Sequence, residues 1–176
     1  AQYRVNHEYY VVDPDGNESK VEADCITGEV VRGNHGDSVK AADAAAVNVG
    51  ASTGDEYKET GRTGDIVLDK AGMKEITITY KRYEYRVTTE GDEGVESLTE
   101  DKVYKAGEDA SVAYAIKDGY ELVSVVVDGE DETGNTAALS FGSISENHHV
   151  KIVTRKSEAQ YRVNHEYYVV DPDGNE

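Results

Sequence analysis

Apolar and polar residues alternate over residues 3–12, YRVNHEYYVV, so that Tyr3, Val5, His7, Tyr9 and Val11 share one face. Arg4, Asn6, Glu8 and Tyr10 take the other, and a two-residue period of this kind predicts an opening strand with one buried side. The segment DPDGN that follows is a reverse-turn signal, Pro14 fixing φ and Gly16 accepting a positive one. It leads into a second extended run over residues 18–32, and the two runs are expected to form a hairpin. Residues 40–47, KAADAAAV, are the one strong helix-forming run, with Asp37 or Ser38 placed to cap a short helix. Short strands are expected over residues 55–60 and 65–68.

The longest alternation covers residues 74–87, KEITITYKRYEYRV, with Ile76, Ile78 and Tyr80 on one face. It is too long for one strand of a small sheet, and its phase is hard to keep past Lys81 and Arg82. Two strands are therefore expected, one closing a domain over residues 1–82 and one opening a second, all-β domain over residues 83–158. Within that second half, residues 111–116 and 120–127 read as strands separated by the turn Lys117-Asp118-Gly119, and the runs AALSF and HHVKIVTR complete it.

Residues 159–176, AQYRVNHEYYVVDPDGNE, repeat residues 1–18 letter for letter. The period of about 158 residues is far longer than that of a solenoid, whose units depend on their neighbours. Each unit is large enough to hold its own core, so the pattern reads as a tandem array in which residues 159–176 begin the next repeat.

Charge narrows the choice of partner. The chain carries 36 acidic against 18 basic residues, a formal net charge of -18, which repels nucleic acid and anionic lipid. No apolar stretch approaches the roughly 20 residues needed to cross a bilayer, so a leader or membrane anchor of the parent protein is expected to lie outside these residues. Val, Ile and Tyr dominate the apolar set while Trp is absent and Phe141 is the single Phe; this is a strand-former's composition. Cys25 is the one cysteine, so no disulfide braces the chain. It shares the alternation phase of Val21 and Ala23 and reads as a half-buried thiol.

Candidate chemistry is thin. No motif gathers a nucleophile, a base and an oxyanion donor set, and His7, His35, His148 and His149 follow no metal-ligand spacing. Asp13, Asp15, Asn17 and Asp24 fall at calcium-loop spacings, but Glu18 stands where the loop requires glycine, and a hairpin turn accounts for the segment. The acidic run Asp128, Glu130, Asp131 and Glu132 reads as solvated charge with at most weak calcium affinity. Lysines and asparagines sit in polar stretches that do not suggest a Lys–Asn crosslink. No catalytic residue, cofactor or metal is expected.

The order YRVNHEYYVVDPDG, TGEVVRGNHGDSV, KEITITYKR resembles the mucin-binding repeat domains of Gram-positive surface proteins over residues 1–82. That resemblance implies a ubiquitin-like β-grasp unit with one short helix. The family's usual middle pattern with GY and proline is missing between Val47 and Thr63. Residues 83–156, with AGEDASVAYAIKDGYELVSVVVDG and SFGSISENHHVKIVTRK, are similar to small β repeats of bacterial cell-wall proteins, including internalin-type B repeats. Together they imply an extracellular, wall-attached adhesin that holds a host glycoprotein, mucin or immunoglobulin, non-covalently and multivalently. Tyr10 beside Glu8 on the outer face of the first strand, with Tyr57, are the expected ligand contacts, aromatic rings being suited to stacking on sugars or filling protein pockets. The alternative is a stalk repeat that spaces a distal domain and binds nothing of its own.

Overall fold

The computed structural model describes residues 1–47, 57–158 and 163–175. Its first part contains β1 (Gln2–Val12), β2 (Glu18–Lys20), β3 (Val31–Arg32), β4 (Ser38–Val39), β5 (Lys58–Arg62), β6 (Ile66–Val67) and β7 (Met73–Gly91). The remainder adds β8 (Val95–Leu98), β9 (Lys102–Lys105), β10 (Asp109–Ser111), β11 (Tyr114–Ile116) and β12 (Tyr120–Val127). It ends with β13 (Glu130–Asp131), β14 (Ser140–Ser143) and β15 (His148–Lys156). The fold is mainly β.

The run over residues 74–87 is one strand, not two. β7 is 19 residues long and serves as the spine of a nine-stranded sheet. Which partner lies on which edge follows from the direction of its peptide groups, which alternate residue by residue. The carbonyls of Thr77 and Tyr83 accept the amides of Thr63 and Ala106, so odd residues face the edge that carries β5 and then β9, both antiparallel. The amide of Arg86 donates to Asn147 Oδ1 at 2.8 Å, so even residues face the other edge. There β1 pairs in parallel with residues 73–83 and β15 in parallel with residues 87–91. β1 and β15 thus run in the same direction, one after the other, along one edge. Asn147 fills the gap between them, its Nδ2 donating to the Pro14 carbonyl at 2.8 Å.

The break in phase at Lys81 and Arg82 has a physical counterpart. Ile76, Ile78 and Tyr80 are buried before the break and Val87 after it, so the buried parity changes from even to odd. Adjacent residues of a strand point to opposite faces, and β7 therefore offers one face to the first core and the opposite face to the second. The first core is a cluster of Tyr9, Tyr57, Ile78 and Tyr80 with Val5 and Ala44 against it. The second gathers Val87, Tyr104, Val112, Val125, Leu139, Ile144, Val150 and Ile152 with neighbours. A strand too long for one small sheet is accounted for by two cores that share it.

The helix expected over residues 40–47 is absent. Only a three-residue 3-10 turn, Ala41–Asp43, forms. Helix propensity is a weak prior that tertiary contacts override. Here the guanidinium of Arg62 takes the carbonyls of Ala41 (2.6 Å) and Ala44 (2.7 Å), directing them across to β5 and not along a helix axis. The extended run over residues 18–32 is likewise shorter than expected: β2 and β3 bracket a 3-10 turn at Glu22–Asp24. Between them Gly28 lies flat on β1, where a Cβ would come within 2.0 Å of the Val5 carbonyl oxygen. The expected strand over residues 55–60 is found from Lys58 onward, Asp55 and Glu56 lying outside the described residues.

Two tyrosines hold the first core to the segment that follows the 3-10 turn. Tyr9 and Tyr80 stack with centroids 4.6 Å apart at 9°, while Tyr57 meets Tyr9 edge-on at 4.9 Å. Tyr9 Oη donates to the carbonyl of Val47, and Tyr80 Oη accepts the Val47 amide at 2.9 Å. The Tyr80 hydroxyl also hydrogen-bonds His7 Nδ1, 3.1 Å away, the donor being set by the imidazole tautomer.

Burial, and after it the nearby Arg62 charge, pushes the His7 pKa below its ordinary 6.5. The unfolded chain takes up a proton near pH 6.5 and the folded chain resists until lower pH, so this contribution to stability is full above 6.5 and declines as pH falls beneath it. The expected loss is at most about 1.4 kcal/mol per pH unit, read from urea midpoints between pH 7 and 5. His7→Gln, whose side-chain amide can still hydrogen-bond to Tyr80, is expected to flatten that slope; an unchanged slope would assign it to other groups.

Candidate functional site

The residues expected to meet a ligand do not come together. Tyr57 is 3% exposed, and its hydroxyl donates to Asp24 Oδ2 at 2.8 Å. Burial and that bond push its pKa up to about 12. It is a core ring and not a surface contact. Tyr10 and Glu8 do sit side by side on the outer face of β1, the Tyr10 hydroxyl donating to Glu8 Oε2 at 2.8 Å. Lys20 Nζ reaches Glu8 Oε1 at 3.1 Å. The tyrosine bond and then the lysine bond hold the Glu8 carboxyl below its usual range, so this pair is already satisfied within the β1–β2 hairpin.

The acidic turns are likewise occupied by backbone. Asp13 Oδ1 accepts the amides of Asp15 (2.9 Å) and Asn17 (2.8 Å), which is the hairpin reading of DPDGN. Asp128 (φ 51°) and Gly129 (φ 85°) form the two positive-φ residues of a tight turn between β12 and β13. Asp131 Oδ1 accepts from the Thr133 amide at 2.9 Å. Among the described residues no group of His, Cys, Asp and Glu is placed to hold a metal ion. His148 stacks on Phe141 at 4.0 Å and meets Asp128 at 2.7 Å, whereas His149 turns to Thr88 at 2.8 Å. Cys25 is half-buried, its thiol directed to the Val21 carbonyl at 3.3 Å.

A cleft forms instead where the buried face of β7 changes side. The odd face is solvent-covered alongside the first core and becomes the inner face of the second, so the second core begins as a step. Lys81, Tyr83 and Tyr85 descend that step, and Ser143, Ile144 and Ser145 form its far wall. On the β5/β9 edge, β5 ends its pairing at Lys58 opposite Lys81, and β9 begins at Lys105 opposite Glu84. The gap between them opens a cavity of about 450 Å³ lined by Lys58, Lys81, Arg82, Tyr83 and Tyr85 among others.

The charge of this cleft runs against that of the molecule. Lys58 and Lys81 are direct cross-strand neighbours, an arrangement of like charges that costs stability. Glu18 pairs with Lys81 from one side, and the Arg82 guanidinium lies 5.5 Å from the centroid of Tyr57. Two lysines and two tyrosines border one concavity in a chain of net charge -18, while the Arg82 guanidinium is turned to Tyr57 on the other face. That is a surface suited to a carboxylate- or sulfate-bearing group on a body that aromatic rings can cover. Sequence reasoning missed it because Lys58 and Lys81 meet only through the β5–β7 register.

No family model and no curated protein matches the sequence. Among solved structures the chain is similar to domains 3-4 of the Streptococcal High Identity Repeats in Tandem of a cell-surface protein, at 13% identity and a TM-score of 0.33. The likeness covers 89% of this chain and 99% of that one.

Proposed function

We propose that this chain is a non-catalytic repeat unit of a bacterial cell-surface protein that acts as a stiff spacer. The observation that carries the reading is β7, one strand passing through both cores. At about 3.3 Å per residue it reaches about 60 Å, whereas a compact chain of this size has a radius of gyration of about 16 Å and is about 40 Å across. The letter-for-letter duplication and the resemblance to wall-attached repeats support an extracellular array, and net negative charge keeps neighbouring arrays apart. Small-angle scattering is expected to give a radius of gyration above about 20 Å and an elongated distance distribution. A globular profile would end this reading.

A second reading, the adhesin, draws support from the cationic cleft. In it the ligand is an acidic host glycan, as carried by mucin or immunoglobulin, and weak single contacts gain about a hundredfold or more through repetition. Glycan arrays with sialylated, sulfated and neutral sugars test it. Binding confined to the acidic sugars, lost in Lys58→Glu and weakened by salt, is the expected pattern; uniform silence across mucin and immunoglobulin defeats it.

A further inference from the structure

The strand registers assemble a row of side chains on the outer face of the first sheet. Tyr10 stands directly opposite Lys20 on β2 and Lys81 on β7, and Lys81 stands opposite Lys58 on β5. Directly opposed residues point to the same face, so Lys20, Tyr10, Lys81 and Lys58 cross four strands in line. At ~4.8 Å per strand the row is about 14 Å long. Its Lys58–Lys81 end opens into the cleft that Tyr83 and Tyr85 descend and that Ser143 and Ser145 wall off. The opposition of two lysines costs stability, and neither core makes use of it; an anion lying between them removes that cost.

Carboxylates of the chain itself close most of the row. Glu18 pairs with Lys81, and Glu8 pairs with Lys20 at 3.1 Å while accepting the Tyr10 hydroxyl. Glu22 stands 3.8 Å from Lys20. Lys58 has no carboxylate partner among the described residues. The side chains of Glu18 and Glu8 are 45% and 31% exposed, and pairs so open to water are weak, so an incoming anion exchanges for them readily. One anionic group can displace only one of the two. A chain bearing two such groups about 10 Å apart, the width of two strand spacings, meets Lys81 and Lys20 together, and its second engagement is intramolecular.

We infer that the row binds an acidic polysaccharide chain lying across the strands, with Glu18 and Glu8 as internal competitors that yield only to a ligand carrying at least two anionic groups. The inference rests on the adhesin reading and narrows it from any acidic sugar to a repeatedly charged one. A sugar chain fits this face better than other polyanions do. Tyr10 and Tyr83 set apolar rings with polar edges among the cations, and the cleft wall adds the hydroxyls of Ser143 and Ser145. An acidic peptide gains no main-chain pairing here, because the amides of β1 and β7 are engaged in ladders on both sides. A nucleic acid strand carries a phosphate every ~3.4 Å, and those beyond the row would meet the negative field of a chain of net charge -18.

The test titrates the full chain, followed by amide shifts, with a sulfated uronic-acid hexasaccharide, with sialyllactose as a sugar of one carboxylate, and with polyglutamate. The hexasaccharide is expected to bind at least about tenfold more tightly than sialyllactose and to shift Lys20, Tyr10, Lys58 and Tyr83. Lys20→Gln is expected to weaken the hexasaccharide about threefold to fivefold and to leave sialyllactose unchanged. Glu18→Gln with Glu8→Gln, exposed changes that spare the fold, is expected to tighten the hexasaccharide about tenfold. Unchanged or weaker binding in that double variant, a hexasaccharide no tighter than sialyllactose, or polyglutamate bound equally well overturns the inference, as does silence toward every probe in both forms. Sialyllactose binding that ignores all three substitutions overturns it and leaves the adhesin reading standing. Silence in the unsubstituted chain with hexasaccharide binding in the double variant does the reverse, so the two failures are distinct.

Discussion

Tyr80→Ala is expected to remove about 3–5 kcal/mol from the first core, the range for deleting a buried aromatic ring. Tyr80 is 2% exposed, stacks on Tyr9, and holds both His7 and the Val47 amide through its hydroxyl. Tyr80→Phe keeps the ring and leaves the Val47 amide and His7 Nδ1 without their hydroxyl, for an expected cost of about 1–3 kcal/mol. The pair separates packing from hydrogen bonding. The distribution of damage matters as much as its size, because Tyr80 belongs to the first cluster and has no place in the second. Hydrogen exchange on Tyr80→Ala is expected to accelerate through β1, β5 and the early residues of β7. Amides of the β12–β15 ladder are expected to keep their protection. Equal loss in both places would show that the cores unfold as one unit and that the division at residue 82 has no energetic meaning.

Much of the strand inventory was legible in the alternation because local pattern and tertiary use agree. The run over residues 120–127 is β12 residue for residue, and the Tyr3 to Tyr9 phase places His7 and Tyr9 inward. The phase break at Lys81 and Arg82 was legible too, but its meaning was not. A change of buried parity implies two strands only if each strand serves one core, and nothing in the letters tells that β7 serves two on opposite faces. The alanine run failed for a different reason. Its propensity is real, yet Arg62, about twenty residues away, takes the carbonyls a helix would have used. Tyr57 was misplaced because a single aromatic in a polar segment carries no period to say which way it points; its burial depends on Tyr9 and Asp24, both distant in sequence. The cationic cleft had no sequence signal at all, being created by a strand register and by the step between two cores.

Arg82→Pro is expected to break the stiffness of the molecule while Arg82→Ala is not. Even residues of β7 direct their amides to the edge that carries β1, and Arg82 stands opposite Val11 near the end of that ladder. Proline removes the amide and forces its ring into the sheet, a cost of about 3 kcal/mol or more in an element interior. Alanine keeps the amide and removes the guanidinium that lies over Tyr57, a contact worth about 0.5–2 kcal/mol. Among the described residues, the side-chain contacts across the joint include exposed ones: Asn147 with Pro14 and Arg86, and Arg86 with Asp15 at 3.5 Å. Exposed ion pairs contribute about 0–1 kcal/mol, and one neutral hydrogen bond about as much, so they cannot replace a continuous strand. In Arg82→Pro, residual dipolar couplings from residues 2–80 and from residues 87–156 are expected to require two alignment tensors, with one tensor sufficing for Arg82→Ala. A single tensor in both variants would mean that the Asn147 seam and not the β7 backbone holds the halves in line. The spacer reading would then rest on side chains that a single substitution could release.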